Sequence, residues 1–285
     1  MPAIAVEALT KSFGQVHAVN GVSFEVAPGE CVSLLGPNGA GKTTTTEILE
    51  GYTKPDGGRV EVLGIDPQHG DLAWKARLGI VLQSVRDLGD LTVIEAVRHF
   101  AKYYPDPKDP EAVIESVGLT SKAGSRNAKL SGGQRRRLDV ALGVIGNPEL
   151  LFLDEPTTGF DPEARREFWV LIETLKAEGA TILLTTHYLD EAERLADRVA
   201  VIAQGRIIAC DAPHSLGNRN SALAIVTWTE HGTRQEIETA EPTRVAQELA
   251  ARFAGEVPDL AIRRPSLEDT YLALIEGDLA QGGLL

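Results

Sequence analysis

Apolar and polar residues alternate along this chain in runs of distinct length. Short β-like runs at residues 4–8, 22–26 and 31–35 are bounded by glycine and proline. Longer unbroken apolar runs at 150–153, 181–184 and 199–202 have the length of strands buried on both faces. Helical patterns separate them, so strands alternate with helices, which predicts a largely parallel sheet covered on both sides. Between the early and late strands a mainly helical stretch spans about residues 91–145. Its first helix opens on Thr92-Val93-Ile94-Glu95, a capping box, and continues with Val93, Ala96, Val97, Phe100, Ala101 and Tyr104 at helical spacing. A shorter helix covers 110–117, and a third begins after Ser131 with Leu138, Ala141, Leu142 and Ile145 on one face. A fourth starts at Pro162, capped by Asp161 and ended by Gly179.

The texture changes after Ala212-Pro213. Strands are expected at 222–229, 235–239 and 260–262, with a helix carrying Val245, Leu249 and Phe253. The last helix is capped by Ser266 and holds Leu267, Tyr271, Leu274 and Ile275. Two domains are therefore expected, 1–211 and 212–285, the second a β-β-α-β-α module large enough for a core of its own.

With 43% apolar and 24% charged residues, the 285-residue chain has the makeup of a globular protein. Its 41 acidic and 28 basic groups leave a net charge of −13, which repels phosphate backbones, so no nucleic-acid partner is expected. The most apolar stretch, 140–153, is broken by Asn147, Pro148 and Glu149, so no membrane crossing is expected. Met1-Pro2-Ala3-Ile4 lacks the regions of a signal peptide, and Cys31 and Cys210 each sit in an apolar segment with no disulfide framework. The expected compartment is the cytosol.

Gly36-Pro37-Asn38-Gly39-Ala40-Gly41-Lys42-Thr43 matches the phosphate-binding pattern G-x-x-x-x-G-K-[ST], directly after a strand and before a helix. Glycines at 36, 39 and 41 let successive N–H groups turn inward as an anion nest, and the helix start adds its unpaired amides. Lys42 offers a positive charge to the β- and γ-phosphates, and Thr43 a hydroxyl to Mg²⁺. A second element, 150–156, delivers Asp154 and Glu155 to the end of a buried strand. Asp154 is expected at the metal and Glu155 at the attacking water, because phosphoryl transfer needs positioning and charge stabilisation. A third element, Leu130-Ser131-Gly132-Gly133-Gln134, opens a helix with Ser131 as cap and two glycines leaving the amides approachable. It makes a second anion site 89 residues after Lys42. The two are reconciled if the second site belongs to another subunit, with nucleotide held between two chains.

These three motifs, in this order, resemble the ATP-binding cassette (ABC) ATPases over roughly residues 4–211. The resemblance implies an α/β P-loop fold with a mostly parallel sheet, an antiparallel β subdomain and a helical insert at about 84–145, followed by a small α+β domain. It implies ATP and Mg²⁺, with Pro37, Asn38, Ala40 and Thr44 in the nucleotide-binding segment. Phe13 corresponds to the aromatic that stacks on adenine, with Phe where Tyr is common. Gln83 corresponds to the glutamine that links Mg²⁺ and water to the insert. Asp161, in Gly159-Phe160-Asp161, corresponds to a residue that reaches across a dimer, and His187 to the switch histidine at the γ-phosphate. Residues 265–272 resemble a motif of drug and antibiotic exporter subunits.

The expectation is an ATPase subunit that pairs with a second copy and powers a permease on separate chains, at the inner face of the cell membrane, for export of drug-like or lipophilic compounds. Two alternatives carry less. A soluble cassette acting on DNA would need a long coiled coil between Lys42 and Ser131, and ribosome-linked members usually carry two cassettes. A non-catalytic regulator would not need Gln83, Glu155 and His187 together.

Overall fold

The apolar runs at 4–8, 22–26, 31–35, 150–153, 181–184 and 199–202 each lie within a strand of one of two sheets. The computed structural model describes residues 1–81, 90–253 and 255–282. It divides into two units, Met1–Cys210 and Asp211–Leu285.

The larger unit runs β1 (Ile4–Phe13), β2 (Val16–Val26), β3 (Cys31–Leu35), α1 (Lys42–Leu49), β4 (Gly57–Val62), α2 (Leu72–Lys75), β5 (Leu78–Val81), α3 (Val93–Ala101), α4 (Pro110–Ser116) and α5 (Gly132–Val144). Then come β6 (Leu150–Asp154), α6 (Pro162–Ala177), β7 (Thr181–Thr186), α7 (Leu189–Leu195), β8 (Arg198–Ala203) and β9 (Arg206–Asp211). The central sheet has the order β5-β6-β7-β3-β8-β9, with parallel pairing from β5 to β8. Its residues alternate between two cores, as the two-residue period of a strand requires. Leu151, Leu153, Ile182 and Leu184 join Val93, Val97, Leu138 and Phe168 of the helices on one face. Leu150, Phe152, Leu183, Val32 and Leu34 face the other way, onto Ile48 and the outer antiparallel sheet β2-β1-β4.

β1 is twice as long as its apolar run suggested. Its register with β2 shifts between Val6 and Leu9, and Ala8 there has φ 46° while its N–H donates to Ser23 Oγ at 2.8 Å. This bulge interrupts the alternation on which a sequence-based reading depends. β4 also lay outside the expected strands, since Arg59 and Glu61 punctuate it and only Val60 and Val62 are buried. The caps match expectation: Thr92 and Glu95 form both halves of a capping box, and Asp161 accepts from Ala164 N–H at 2.8 Å.

β8 turns into β9 through Gln204 and Gly205, with φ 47° and 74°, values that a two-residue hairpin needs at both positions. Gly205 N–H donates to Ala40 O at 3.0 Å, and its carbonyl accepts from Asn20 N–H at 2.7 Å.

The smaller unit contains β10 (Ala224–Glu230), β11 (Thr233–Thr239), α8 (Pro242–Arg252), β12 (Ala261–Arg263) and α9 (Leu267–Gly282). Its sheet order is β11-β10-β12, all antiparallel, and Val226 pairs with both Ile237 and Ile262. Val226, Leu249 and Val257 form its small core, flanked by Val245 and Phe253. Ser266 and Asp269 cap α9 reciprocally: Asp269 N–H donates to Ser266 Oγ at 3.0 Å, and Ser266 N–H to Asp269 Oδ2 at 2.8 Å. Among the described residues no helix is long and apolar enough to cross a membrane.

Candidate functional site

The strand order of the central sheet gathers the chemistry. β7 lies between β3 and β6, with Leu35 in register with Thr186 and Asp154 with Thr185. Three C-terminal strand ends therefore lie side by side, the edge at which parallel sheets bind ligands. They carry the glycine loop, His187 and the acidic pair.

The loop can be built only with glycine at two of its positions. A Cβ at Gly36 would stand 2.3 Å from Ile202 O, and one at Gly41 2.3 Å from Ala18 O, where φ is also 103°. Gly41 is the N-cap of α1 and supplies no side-chain acceptor, so the first amides of the helix are left for an anion. Lys42 is only 4% exposed; its Nζ donates to Gly36 O at 2.8 Å and Pro37 O at 3.2 Å, and lies 3.4 Å from Glu155 Oε1. The surrounding cavity of about 410 Å³ is lined by Ala18, Asn38, Gly39, Gly41, Lys42, Thr43, Thr44 and Glu155. Ala40 is buried and Pro37 exposed, neither lining it.

At the end of β6, buried Asp154 accepts from Thr185 Oγ1 at 2.5 Å. Glu155 comes next at φ 42°, a left-handed conformation that costs a non-glycine residue about 1–2 kcal/mol. Its N–H donates to Thr185 O at 3.1 Å, and its Oε2 lies 3.3 Å from His187 Nδ1. Glu155 thus stands between Lys42 and His187. Gln83 lies outside the described residues, as does the start of the insert expected from residue 84.

A second cavity, about 380 Å³, is lined by Ser131, Gly132, Gly133, Gln134, Gly159, Phe160 and Asp161 among others. Ser131 caps α5: its Oγ accepts from Gln134 N–H at 3.3 Å, and Gln134 Oε1 accepts from Ser131 N–H at 3.2 Å. The Gln134 side chain is therefore engaged in the cap. Lys122 and Arg137 also line this cavity, Arg137 paired with Glu167 of the same lining, and neither carries a signal in the sequence beyond its place in a polar run. No residue lines both cavities. Phe13 is 53% exposed with Lys11 Nζ 5.4 Å from its ring centre, and it does not line the Lys42 cavity.

A family model described as ABC transporter matches residues 19–158. The Nod factor export ATP-binding protein I of Rhizobium sp. (strain N33) is 39% identical over 298 residues, covering 95% of this chain and 96% of that protein. Its counterpart from Rhizobium leguminosarum bv. viciae is 46% identical over 298 residues, covering 95% and 94%. The chain belongs to the ABC transporter family. As an ABC ATP-binding subunit it binds and hydrolyses ATP. Among solved structures, a dimeric bacterial ABC transporter cassette matches with a TM-score of 0.65 and 25% identity, over 73% of this chain and 98% of that one.

One buried acid of this ABC subunit escaped the sequence motifs. Glu50, just after α1, is 6% exposed, and burial pushes its carboxyl up to about 8, with Asp154 and Glu47 adding repulsion. A lone acid at the end of a short helix carries no sequence signal. The folded chain keeps a proton on Glu50 that the unfolded chain releases above about 4.5, so this residue costs stability increasingly as pH rises toward 8. Glu50→Gln is accordingly expected to raise the melting temperature by an amount that grows between about pH 6 and about pH 8. A gain independent of pH in thermal melts would contradict it.

Proposed function

We propose that two copies of this chain close head-to-tail on two ATP molecules and drive a permease carried on other polypeptides, exporting drug-like or lipophilic compounds. The observation that carries the two-copy reading is the separation of the anion sites: the Lys42 cradle and the Ser131-capped helix open into cavities with no common residue. Each ATP is then held by the loop Gly36–Thr43 with Thr44 of one copy and by Ser131, Gly132, Gly133, Gln134 and Asp161 of the other, with Phe13 on the adenine. The matched dimeric cassette supports the pairing of two copies. Export is supported by the names of relatives that align over nearly the whole chain, the smaller unit included.

Within each site the residues have separate tasks. Lys42 neutralises the β- and γ-phosphates, Glu155 orients and polarises the attacking water, and His187 holds the γ-phosphate. The donor set fits Mg²⁺: the Thr43 hydroxyl and the Asp154 carboxylate are hard oxygen ligands, and with Gln83 they are few, as suits an ion that keeps phosphate and water ligands. When bound, Mg²⁺ neutralises charge on the phosphate oxygens. ATP favours the closed pair because only there does it meet both half-sites.

The permease reading is tested by solubilising membranes from cells that express a tagged chain, purifying on the tag and identifying the proteins that co-purify. A polytopic membrane protein in stoichiometric yield is expected. A chain recovered without any integral partner, or one that shifts nucleic acid in a gel at physiological salt, overturns it.

A further inference from the structure

The left-handed conformation of Glu155 needs support, because a strained backbone persists only where its surroundings over-determine it. Two buried charged side chains from different helices surround that turn. From α5, Arg136, 6% exposed, donates Nε to Pro156 O at 2.9 Å and Nη2 to Asp154 O at 3.0 Å, so it grips the carbonyls on both sides of Glu155. From α7, Glu191, fully buried, accepts from the Thr157 hydroxyl at 2.9 Å and from Trp169 Nε1 at 3.3 Å.

Both placements are costly in solvation. Burial drives the Glu191 carboxyl above the usual range and the Arg136 guanidinium below it. Glu191 Oε2 and Asp139 Oδ1 have no hydrogen-bond partner among the described residues, and Asp139 Oδ2 lies 3.9 Å from Arg136 Nη1. Apolar side chains of similar volume commonly give a fold at least equal stability at such positions. The specific gain is geometric: α5 is the helix that Ser131 caps, and α7 begins two residues after His187. Each clasp therefore ties the Glu155 turn to a segment that faces nucleotide in the closed pair.

We infer that Arg136 and Glu191 are positioning residues that clasp the turn from Asp154 to Thr157 and fix where the Glu155 carboxylate lies. The inference rests on the reading of Glu155 as the group that orients water. Neither residue lines the Lys42 cavity or the Ser131 cavity, so their loss slows turnover without weakening ATP binding.

The test compares kcat, KM and the affinity for a fluorescent ATP analogue in five variants of the full chain. Thr157→Val and Arg136→Lys remove one hydroxyl and the guanidinium fork while keeping size or charge. They are expected to lower kcat by about tenfold to a hundredfold, the cost of a small misplacement, with KM and affinity within about twofold. Glu191→Ala behaves alike, and Glu191→Gln recovers turnover above the alanine variant because its amide oxygen still accepts from Thr157 and Trp169. Should Glu191→Ala fail to fold, the two conservative variants decide. A wild-type kcat in Thr157→Val or Arg136→Lys overturns the inference, and so does a loss of affinity in step with kcat. Glu155→Gln in the same assay separates the two levels. If it turns over normally, the reading of Glu155 fails and takes the clasp with it. If it is inactive while Thr157→Val runs at full speed, only the clasp fails.

Discussion

Replacing Glu155 by glutamine is expected to abolish turnover and leave ATP bound. The amide keeps the size of the carboxylate and its place between Lys42 and His187, 3.4 and 3.3 Å away in the native residue. What it loses is the charge and basicity that polarise water, a contribution of about 10²–10⁴ in rate. The phosphate grip is untouched, because it comes from the loop amides and Lys42. Phosphate release should therefore fall to background, while size-exclusion chromatography with ATP shows a dimer that persists. Hydrolysis at the native rate by this variant would mean that the water is held elsewhere.

If nucleotide is shared between two copies, a pair of inactive variants is expected to regain activity when mixed. Lys42→Ala removes the buried ammonium that meets the phosphates, costing about 2–5 kcal/mol of binding. Ser131→Arg keeps the cradle but plugs the mouth of α5, where Ser131 and Gly132 are exposed. Each homodimer then has two defective sites. In a mixed dimer, the cradle of the Ser131→Arg copy faces the intact cap of the Lys42→Ala copy, so one site of two is whole. Random pairing of equal amounts predicts up to about a quarter of wild-type activity, since half the dimers are mixed. No recovery, at concentrations where the wild type is fully active, would refute a site shared between chains.

Much of this site is legible in residue order alone, because its chemistry is compressed into contiguous motifs. Gly36 through Thr43 announces itself by glycine spacing, and the steric demands at Gly36 and Gly41 explain that spacing. The Ser131 and Thr92 capping boxes are likewise local, each closed within four residues. What stayed hidden depends on contacts between distant segments. Thr185 reads as one more residue of an apolar strand, yet register places its hydroxyl on Asp154. Arg136 looks like one of three consecutive basic residues on a solvated face, and only packing reveals that it is buried while Arg135 is exposed. The outer sheet was half legible for a related reason: the bulge at Ala8 breaks the alternation, and β4 pairs with residues some fifty positions earlier.

The hairpin tip at Gly205 gives the larger unit a mechanical unity that neither of its sheets has alone. Through Ala40 it is hooked to the phosphate loop, and through Asn20 to β2, whose Ala18 carbonyl in turn abuts Gly41. The receptor for the triphosphate is thereby pre-organised by three chain segments, and little ordering is left to oppose binding.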